Sequence, residues 1–330
     1  MTRQERSDDE IFNTPQKRYI RHEIWAKYAI KRKEKDDLDF IKYLTFPALG
    51  CYDVKILNDL ELLETKEIEG ITTYGSVGFC EKDPHKFALI QQKLPGARYC
   101  QGTYEDIVGA CGEELPIRAQ RWFPFDVINL DFTSPLFSSD RNKITNAIKR
   151  TFNIQKLKSK SFTLFLTLPA LRSADTEDGK NRLDDILKNN LAKPNMEEFK
   201  RIFFEKYPFI DINNRIYEQL EYIEFLLISI PKMIVSMGTR ENFDIICNER
   251  FSYIGDHYDG RKNGTYMVKF VFECEYIGSV DGFSLPHPVD YLAEKYPQRI
   301  IEFFNRNFID INQFFESNGE LKTKYCSLEY

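Results

Sequence analysis

The sequence of 330 residues predicts a three-layer α/β fold with a mostly parallel sheet that ends in an antiparallel hairpin. Beyond the first forty residues, short apolar runs alternate with amphipathic stretches, as in repeated βαβ units. Residues 125–131 are almost continuously apolar, which is typical of a strand covered on both faces. Two long β-rich runs, 243–254 and 265–277, enclose Asp-Gly at 259–260 and Asn-Gly at 263–264, and this turn chemistry indicates a hairpin.

Composition places the chain among globular proteins with a sizeable core. Apolar residues make up 42% and charged residues 29%, and the longest apolar stretch, 223–237, contains Pro231 and Lys232, so we expect no membrane span. The first ten residues are charged and lack an apolar run, so we expect no secretory signal. Seven cysteines without a CxxC pair, four of them in apolar runs, predict reduced core thiols and a cytoplasmic location. Four isolated histidines predict no metal site.

The predicted helix at 16–35 is amphipathic and basic. Ile20, Ile24 and Tyr28 recur every four residues with Trp25 beside them, and eight Lys and Arg residues outnumber the two glutamates. We therefore expect residues 1–38 to form a polar N-terminus and a helix that packs against the main body.

The predicted α/β domain spans residues 39–280, with a helical insertion at about 172–235. Its parallel strands are predicted at 40–46, 72–80, 97–101, 125–131 and 161–168. Helices are predicted at 51–64, 84–93, 142–157, 177–191, 196–206 and 216–230. The remaining residues, 281–330, are predicted to form a helical extension, with its helix at 289–315.

An acidic residue, Glu81, stands at the end of the predicted second strand. A carboxylate at the carboxyl end of a strand can accept hydrogen bonds from both hydroxyls of a ribose. The alternative is that Glu81 caps the following helix or is solvated.

Five β/α alternations followed by an antiparallel hairpin resemble the order in class I S-adenosylmethionine-dependent methyltransferases, over residues 40–277. The resemblance implies a Rossmann-like domain that binds S-adenosylmethionine without a metal, with Glu81 on the adenosine ribose. It also implies that Pro47 and Gly50, in the turn after the first strand, contact the cofactor. This turn keeps one glycine where the family has two or three, and Leu49 and Tyr52 add bulk. The alternative is a plain turn with Gly50 in an unusual backbone conformation.

After the third strand, Gln101, Gly102 and Thr103 resemble the segment that contacts adenine in this family. The family's usual acid is absent at Thr103, although Gln101 or the Thr103 hydroxyl can hydrogen-bond a base. The alternative is a βα loop in which Thr103 or Asp106 caps the next helix.

The predicted fourth strand ends at Asp131, and Phe132 follows it. Both residues therefore lie at the carboxyl end of a central strand. Asp131 is placed to orient a methyl acceptor or take its proton, and Phe132 to stack on a flat substrate. The segment is similar to the Asp/Asn-Pro-Pro-aromatic motif of amino-group methyltransferases but lacks the Pro-Pro pair. Alternatively, Asp131 caps the next helix or accepts from the Thr133 and Ser134 amides.

Residues 141–160 contain seven Lys and Arg residues and no acid. This basic zone, which begins at Arg141, predicts contact with a phosphate backbone. Its predicted nucleic-acid contacts are Lys149, Arg150, Lys156 and Lys158. The alternative is a solvated helix face.

Other common catalytic motifs are absent. The sequence has no GxGxxG, GxxxxGK[ST] or GxSxG. The leading hypothesis is therefore a methyltransferase-like protein that binds S-adenosylmethionine and acts on a nucleic acid or another acceptor. The alternative is an inactive subunit of this fold that binds a nucleic acid or a protein partner. An open cavity between Gly50, Glu81 and Asp131 would favour the first, and its filling by Leu49 and Tyr52 the second.

Overall fold

The fold is built on an eight-stranded mixed sheet with the strand order β10-β8-β9-β7-β6-β1-β4-β5. This computed structural model describes residues 13–112, 114–138, 142–255, 264–278, 288–316 and 319–322. In those ranges, β1 to β10 span Tyr43–Thr45, Thr65–Ile68, Ile71–Tyr74, Val77–Glu81, Arg98–Gln101, Val127–Asp131, Phe162–Pro169, Phe243–Gly255, Thr265–Tyr276 and Ile309–Asp310.

Helix α1 is continuous over Pro15–Tyr19, a π-helical stretch at Ile20–Trp25, and Ala26–Lys35. The other helices, α2 to α11, span Tyr52–Asp59, Pro84–Lys93, Tyr104–Ile107, Ile117–Trp122, Lys143–Leu157, Glu177–Leu191, Glu197–Lys206, Ile216–Gln219, Tyr222–Arg240 and Pro288–Asn305. Short 3-10 turns lie at Pro194–Met196 and Ile311–Phe314.

The sheet topology confirms the predicted fold class. Strands β5, β4, β1, β6 and β7 are parallel neighbours, and β9 pairs antiparallel with both β7 and β8. Helices and two clusters of buried apolar side chains lie on the two faces of this sheet. The sheet is therefore mostly parallel and ends in an antiparallel hairpin, as in a Rossmann-like domain. The hairpin turn predicted at 259–263 lies outside the described residues, as do residues 1–12 and Arg141.

The predicted second strand, 72–80, is wrong at its start. The chain first forms a separate hairpin of β2 and β3, whose turn contains Glu69 and Gly70 at positive φ. The strand proper begins only at Val77, after a turn at Ser76. The Ser76 hydroxyl accepts the Glu64 N–H at 2.9 Å, and its carbonyl accepts the Tyr43 N–H at 2.9 Å. These bonds set the start of β4 beside β1.

The single helix predicted at 216–230 is wrong, because the structure has two helices there, Ile216–Gln219 and Tyr222–Arg240, and the second continues through Pro231 and Lys232. Helix α10 runs through both of them, and both are buried. By length and composition this helix could cross a membrane, but 72% of its apolar window is buried inside the protein. It contacts α7, α11, β8 and β9 as a core helix. The four cysteines predicted to be core thiols, Cys80, Cys100, Cys247 and Cys274, are buried and free.

Helix α1 packs on the sheet through paired charges. Its basic side chains meet acids of β9: Lys31 lies 2.5 Å from Glu273, and Arg32 lies 2.6 Å from Glu275. Arg32 is 1% exposed and also donates from Nε to the Thr163 hydroxyl at 3.3 Å. Three basic residues of α1, Lys31, Arg32 and Lys35, are therefore paired with acids of β9, and Arg32 is the buried one.

We predict that Arg32→Met lowers the free energy of unfolding by about 3 kcal/mol, because it leaves the Glu275 carboxylate without its buried partner. The matched control is Lys35→Met, since Lys35 also lies 2.8 Å from Glu275 but is largely solvated. We expect this control to cost less than about 1 kcal/mol. Urea unfolding measures both, and equal losses would contradict the prediction.

The same pair predicts a pH dependence. Burial pushes the pKa of Glu275 up, but Arg32 and Lys35 outweigh it, so the pKa lies below its ordinary value of 4.5. A carboxyl with a lowered folded-state pKa stabilises above its unfolded pKa, and this stabilisation is lost as the pH falls through the folded pKa. We therefore expect the stability difference between wild type and Arg32→Met to be constant near neutral pH and to shrink in acid. A difference that grows in acid would contradict this.

Candidate functional site

The candidate site is the crevice beyond the carboxyl ends of β1 and β6. These strands are parallel neighbours, and the chain passes from β1 to β4 and β5 on one side and from β6 to β7 on the other. Ligands of open α/β sheets bind at such a topological switch point. The predicted site residues Glu81 and Asp131 are the last residues of β4 and β6. The fold thus brings both to this edge of the sheet.

Three of the predicted cofactor contacts lie together at the ends of β4 and β5. Glu81 pairs with Gln101 in register, and the Gly102 N–H donates to the Glu81 carbonyl at 3.0 Å. The Glu81 carboxylate accepts the Asp83 N–H at 2.8 Å through Oε1 and remains half-buried. Gly102 has a φ of 138°, and a Cβ there would meet no atom within 4 Å.

An open depression adjoins these strand ends. It is lined by Lys82, Phe87, Tyr99, Gln101, Gly102 and Arg118. The depression therefore lies beside Glu81 at the β4–β5 side of the crevice, not between Gly50 and Asp131.

Thr103 caps helix α4, as the alternative interpretation predicts. Its hydroxyl accepts the Asp106 N–H at 3.2 Å and donates to the Asp106 carboxylate at 2.7 Å. Asp83 likewise caps α3 by accepting the His85 and Lys86 N–H groups. Because Asp83 makes this cap, the Glu81 carboxylate is not the cap of α3.

The turn after β1 is filled by a tyrosine. A Cβ at Gly50 would lie 2.2 Å from Cε2 of Tyr52, so the Tyr52 ring covers the glycine. The left-handed backbone falls on Cys51, with a φ of 47°, and not on Gly50 as the alternative interpretation supposed. Pro47 is buried. The absence of a side chain at Gly50 thus makes room for Tyr52.

The structure also shows a buried hydrogen-bond network that the sequence analysis missed. The hydroxyls of Tyr43 and Thr45 donate to the Asp53 carboxylate at 2.7 and 2.6 Å. Asn129 Nδ2 donates to the Tyr43 hydroxyl at 3.2 Å. Burial and the charge of Asp53 raise the pKa of Tyr43 well above its ordinary value, so Tyr43 stays a donor. The signal was Tyr43 and Thr45 alternating along β1, with Asp53 in the first turn of the next helix.

The two predicted catalytic residues have different surroundings. Asp131 is half-buried at the end of β6, and its carboxylate has no hydrogen-bond partner among the described residues. Asn142 precedes α6, so Asp131 does not cap that helix. Phe132 is 5% exposed, and its ring packs edge-on against Phe46 at 5.5 Å between centroids. The stacking of Phe132 on a substrate stays a prediction.

A second missed residue, Lys269, lies inside the apolar run that forms β9. It is 3% exposed, and its Nζ lies 4.3 Å from the Trp25 ring centroid and 5.4 Å from that of Tyr253. Burial lowers the pKa of Lys269 to about 8, against the opposing effect of Asp131. A lysine within the otherwise apolar run 266–272 was the signal for it.

The basic zone on α6 is partly neutralised by acids from elsewhere in the chain. Lys156 lies 3.3 Å from Glu241, and Lys160 lies 2.7 Å from Asp126. Arg150 donates to the Gly112 carbonyl. Lys149 and Lys158 are exposed. The absence of acids within 141–160 therefore does not describe the folded surface.

Comparison with known proteins gives little further information. No protein-family model and no curated protein matches the sequence. Among solved structures, the chain is similar to the plantazolicin methyltransferase BamL, crystallised in complex with a triazolic desmethylPZN analog and SAH. The identity is 11% and the TM-score 0.31, over 81% of this chain and 94% of that one. A TM-score this low supports no conclusion about a site or an activity.

We predict that Gly50→Ala lowers the free energy of unfolding by about 1–3 kcal/mol, because the methyl group collides with the Tyr52 ring. In a Tyr52→Ala background the same change is expected to cost much less, and a double-mutant cycle measures the difference. Gly75→Ala is the control, since a Cβ there meets atoms only at 3.6 Å and beyond. An equal cost of Gly50→Ala in both backgrounds would show that Tyr52 is not the reason for the glycine.

Proposed function

We propose that the protein binds S-adenosylmethionine at the carboxyl ends of β4, β5 and β1 and acts as a methyltransferase. The observation that supports this most is the position of Glu81, a half-buried carboxylate at the end of β4 beside the switch point. A ribose needs such a group, because a carboxylate accepts hydrogen bonds from two hydroxyls at once.

The residues around Glu81 fit an adenosine. Gln101 is held next to Glu81 by the β4–β5 register, and its amide can both donate to and accept from a base. Gly102 leaves open space where a side chain would stand. The aromatic rings of Phe87 and Tyr99 border the adjoining depression. Gly50 and Pro47 fit less well, because Pro47 is buried and Tyr52 covers Gly50. This filling by Tyr52 favours the alternative of an inactive subunit, so the proposal depends on Glu81 and its neighbours.

Bound S-adenosylmethionine would supply an electrophilic methyl group. In this proposal Asp131 orients the acceptor or takes its proton, since its carboxylate is half-buried at the end of β6 and has no partner among the described residues. Holding the acceptor in line with the methyl group contributes through proximity and the exclusion of water. Ile20, Trp25 and Tyr28 of α1 belong to the apolar cluster on this face of the sheet.

We predict that Glu81→Ala and Glu81→Gln weaken the binding of S-adenosylmethionine and S-adenosylhomocysteine by about 10–100-fold, because hydrogen bonds to a charged acceptor contribute about 1.5–3 kcal/mol. Titration calorimetry measures the affinities. Glu67→Gln is the control, since Glu67 is exposed on the β2–β3 hairpin, and it is expected to bind as wild type.

No heat with either ligand on folded wild type would overturn the proposed function. The alternative hypothesis, an inactive subunit of this fold that binds a nucleic acid or a protein partner, would then stand. Equal affinities of wild type and both Glu81 variants would overturn the role of Glu81.

Nucleic acid as the acceptor, or as a partner in the cytoplasm, is a further part of the proposal. We predict that replacing Lys149, Arg150, Lys156 and Lys158 by Gln weakens nucleic-acid binding and flattens its salt dependence, because each phosphate contact releases counterions. Fluorescence anisotropy with single- and double-stranded DNA and RNA at two salt concentrations tests this. A Lys149→Gln/Lys158→Gln double variant isolates the two exposed charges. Unchanged binding by the quadruple variant would mean that the zone is a solvated face.

A further inference from the structure

A row of polar side chains crosses three neighbouring strands at the carboxyl edge of the sheet. Asp131 of β6 pairs in register with Thr167 of β7, and Thr167 pairs with Lys269 of β9. Side chains at paired positions point to the same face, and neighbouring strands lie about 4.8 Å apart. The backbones of Asp131 and Lys269 are therefore separated by about 10 Å, with Thr167 between them.

The side chains of Asp131, Thr167 and Lys269 make no hydrogen bond within the described ranges, and the neighbouring Asn129 makes only part of its hydrogen bonds. The Lys269 ammonium has no hydrogen bond or ion pair there, and it lies against the rings of Trp25 and Tyr253. The Thr167 hydroxyl is fully buried and unbonded. Asn129, two residues before Asp131 and 2% exposed, uses its amide N–H groups, but its Oδ1 is unbonded. Buried polar groups are almost always hydrogen-bonded, so this arrangement calls for an occupant.

The charges around Lys269 have both signs. On α1, Arg21 and Lys17 add positive charge, and from the sheet and α2, Asp131 and Asp53 add negative charge. Tyr253, from β8, contributes its ring. A simple anion would be repelled by the carboxylates and a simple cation by the ammonium and guanidinium groups. In a small molecule that carries both charges, each charge can face a group of the opposite sign, so neither repulsion applies.

We propose that this row binds the zwitterionic group of a free α-amino acid. The carboxylate would accept from the Lys269 ammonium and the Thr167 hydroxyl, and the ammonium would face the Asp131 carboxylate and Asn129 Oδ1. We call these four residues the zwitterion site. The inference concerns binding alone and does not depend on the proposed function. The amino-acid end of S-adenosylmethionine carries the same chemistry, so the experiment separates the two sources.

Trp25 reports directly on this site, because its ring lies against the Lys269 ammonium. Trp122 is the second tryptophan of the chain, and Trp122→Phe leaves Trp25 as the single tryptophan, which is excited selectively over the tyrosines. In this background we expect a saturable fluorescence change with glycine. Acetate and methylammonium, each with one of the two charges, are expected to bind at least about tenfold more weakly at equal ionic strength.

Three variants test the contacts. Lys269→Met is expected to abolish the glycine response, whereas Lys66→Met, at an exposed lysine of the β2–β3 hairpin, keeps it. Because Lys269→Met could disturb packing, two variants of nearly unchanged shape are added. Thr167→Val is expected to weaken glycine several-fold, and Asp131→Asn to remove the preference for glycine over acetate.

The pH dependence gives an independent readout. Since the pKa of Lys269 is about 8, the affinity for glycine is expected to fall about tenfold between pH 7 and pH 9 as the ammonium loses its proton. The nearby Asp131 carboxylate raises the pKa of Lys269, so in Asp131→Asn this fall is expected to begin at a lower pH.

The proposal is overturned if glycine gives no response, or if Lys269→Met and Asp131→Asn respond as wild type does. It is also overturned if Lys269→Met weakens S-adenosylmethionine while wild type ignores glycine, because the site then belongs to the cofactor. A glycine response that Lys269→Met removes supports the zwitterion site even if calorimetry finds no S-adenosylmethionine binding. The two proposals therefore fail separately.

Discussion

The face of the sheet on which helix α1 packs carries charged side chains. Because the helix excludes water from this face, each charge needs a partner from the protein itself. Helix α1 provides these partners: Arg32 lies against Glu275 and Lys31 against Glu273, while the Tyr28 hydroxyl donates to Glu249 at 2.8 Å. Removing one member of a buried pair leaves an unpaired charge, which is costly. This pairing fixes α1 across β7, β8 and β9 and places Trp25 against Phe165 and Lys269.

Because α1 packs on only part of the sheet, the carboxyl edge has two different parts. Toward β4 and β5 the crevice is open, and Glu81 stands beside Gln101 and Gly102. Toward β7 and β9, Thr167 and Lys269 are buried and Asp131 is half-buried, and their side chains make no hydrogen bond among the described residues. The Tyr52 ring over Gly50 lies at the turn of β1, between these parts. The proposed nucleoside lies in the open part, and the proposed zwitterion site lies in the other.

Elements whose ends are set by nearby residues were predicted most accurately. Helices 84–93 and 177–191 match the structure, because Asp83 and Thr176 cap them with side chains one position before the helix. The second strand and the helix through Pro231 were predicted less well. The Ser76 bonds to Glu64 and Tyr43, and the core around α10, come from other parts of the chain.

The sequence by itself determined the order of the parallel strands along the chain and placed acids at the ends of two of them. Both follow from strand periodicity and strand ends, which are local properties. Tertiary structure decided which charges are neutralised. Lys156 meets Glu241, 85 residues away, so a zone that is basic in sequence is partly neutral on the surface. It also decided that Asp131, Thr167 and Lys269 form one row, because that alignment depends on the registers of β6, β7 and β9, which only the assembled sheet fixes.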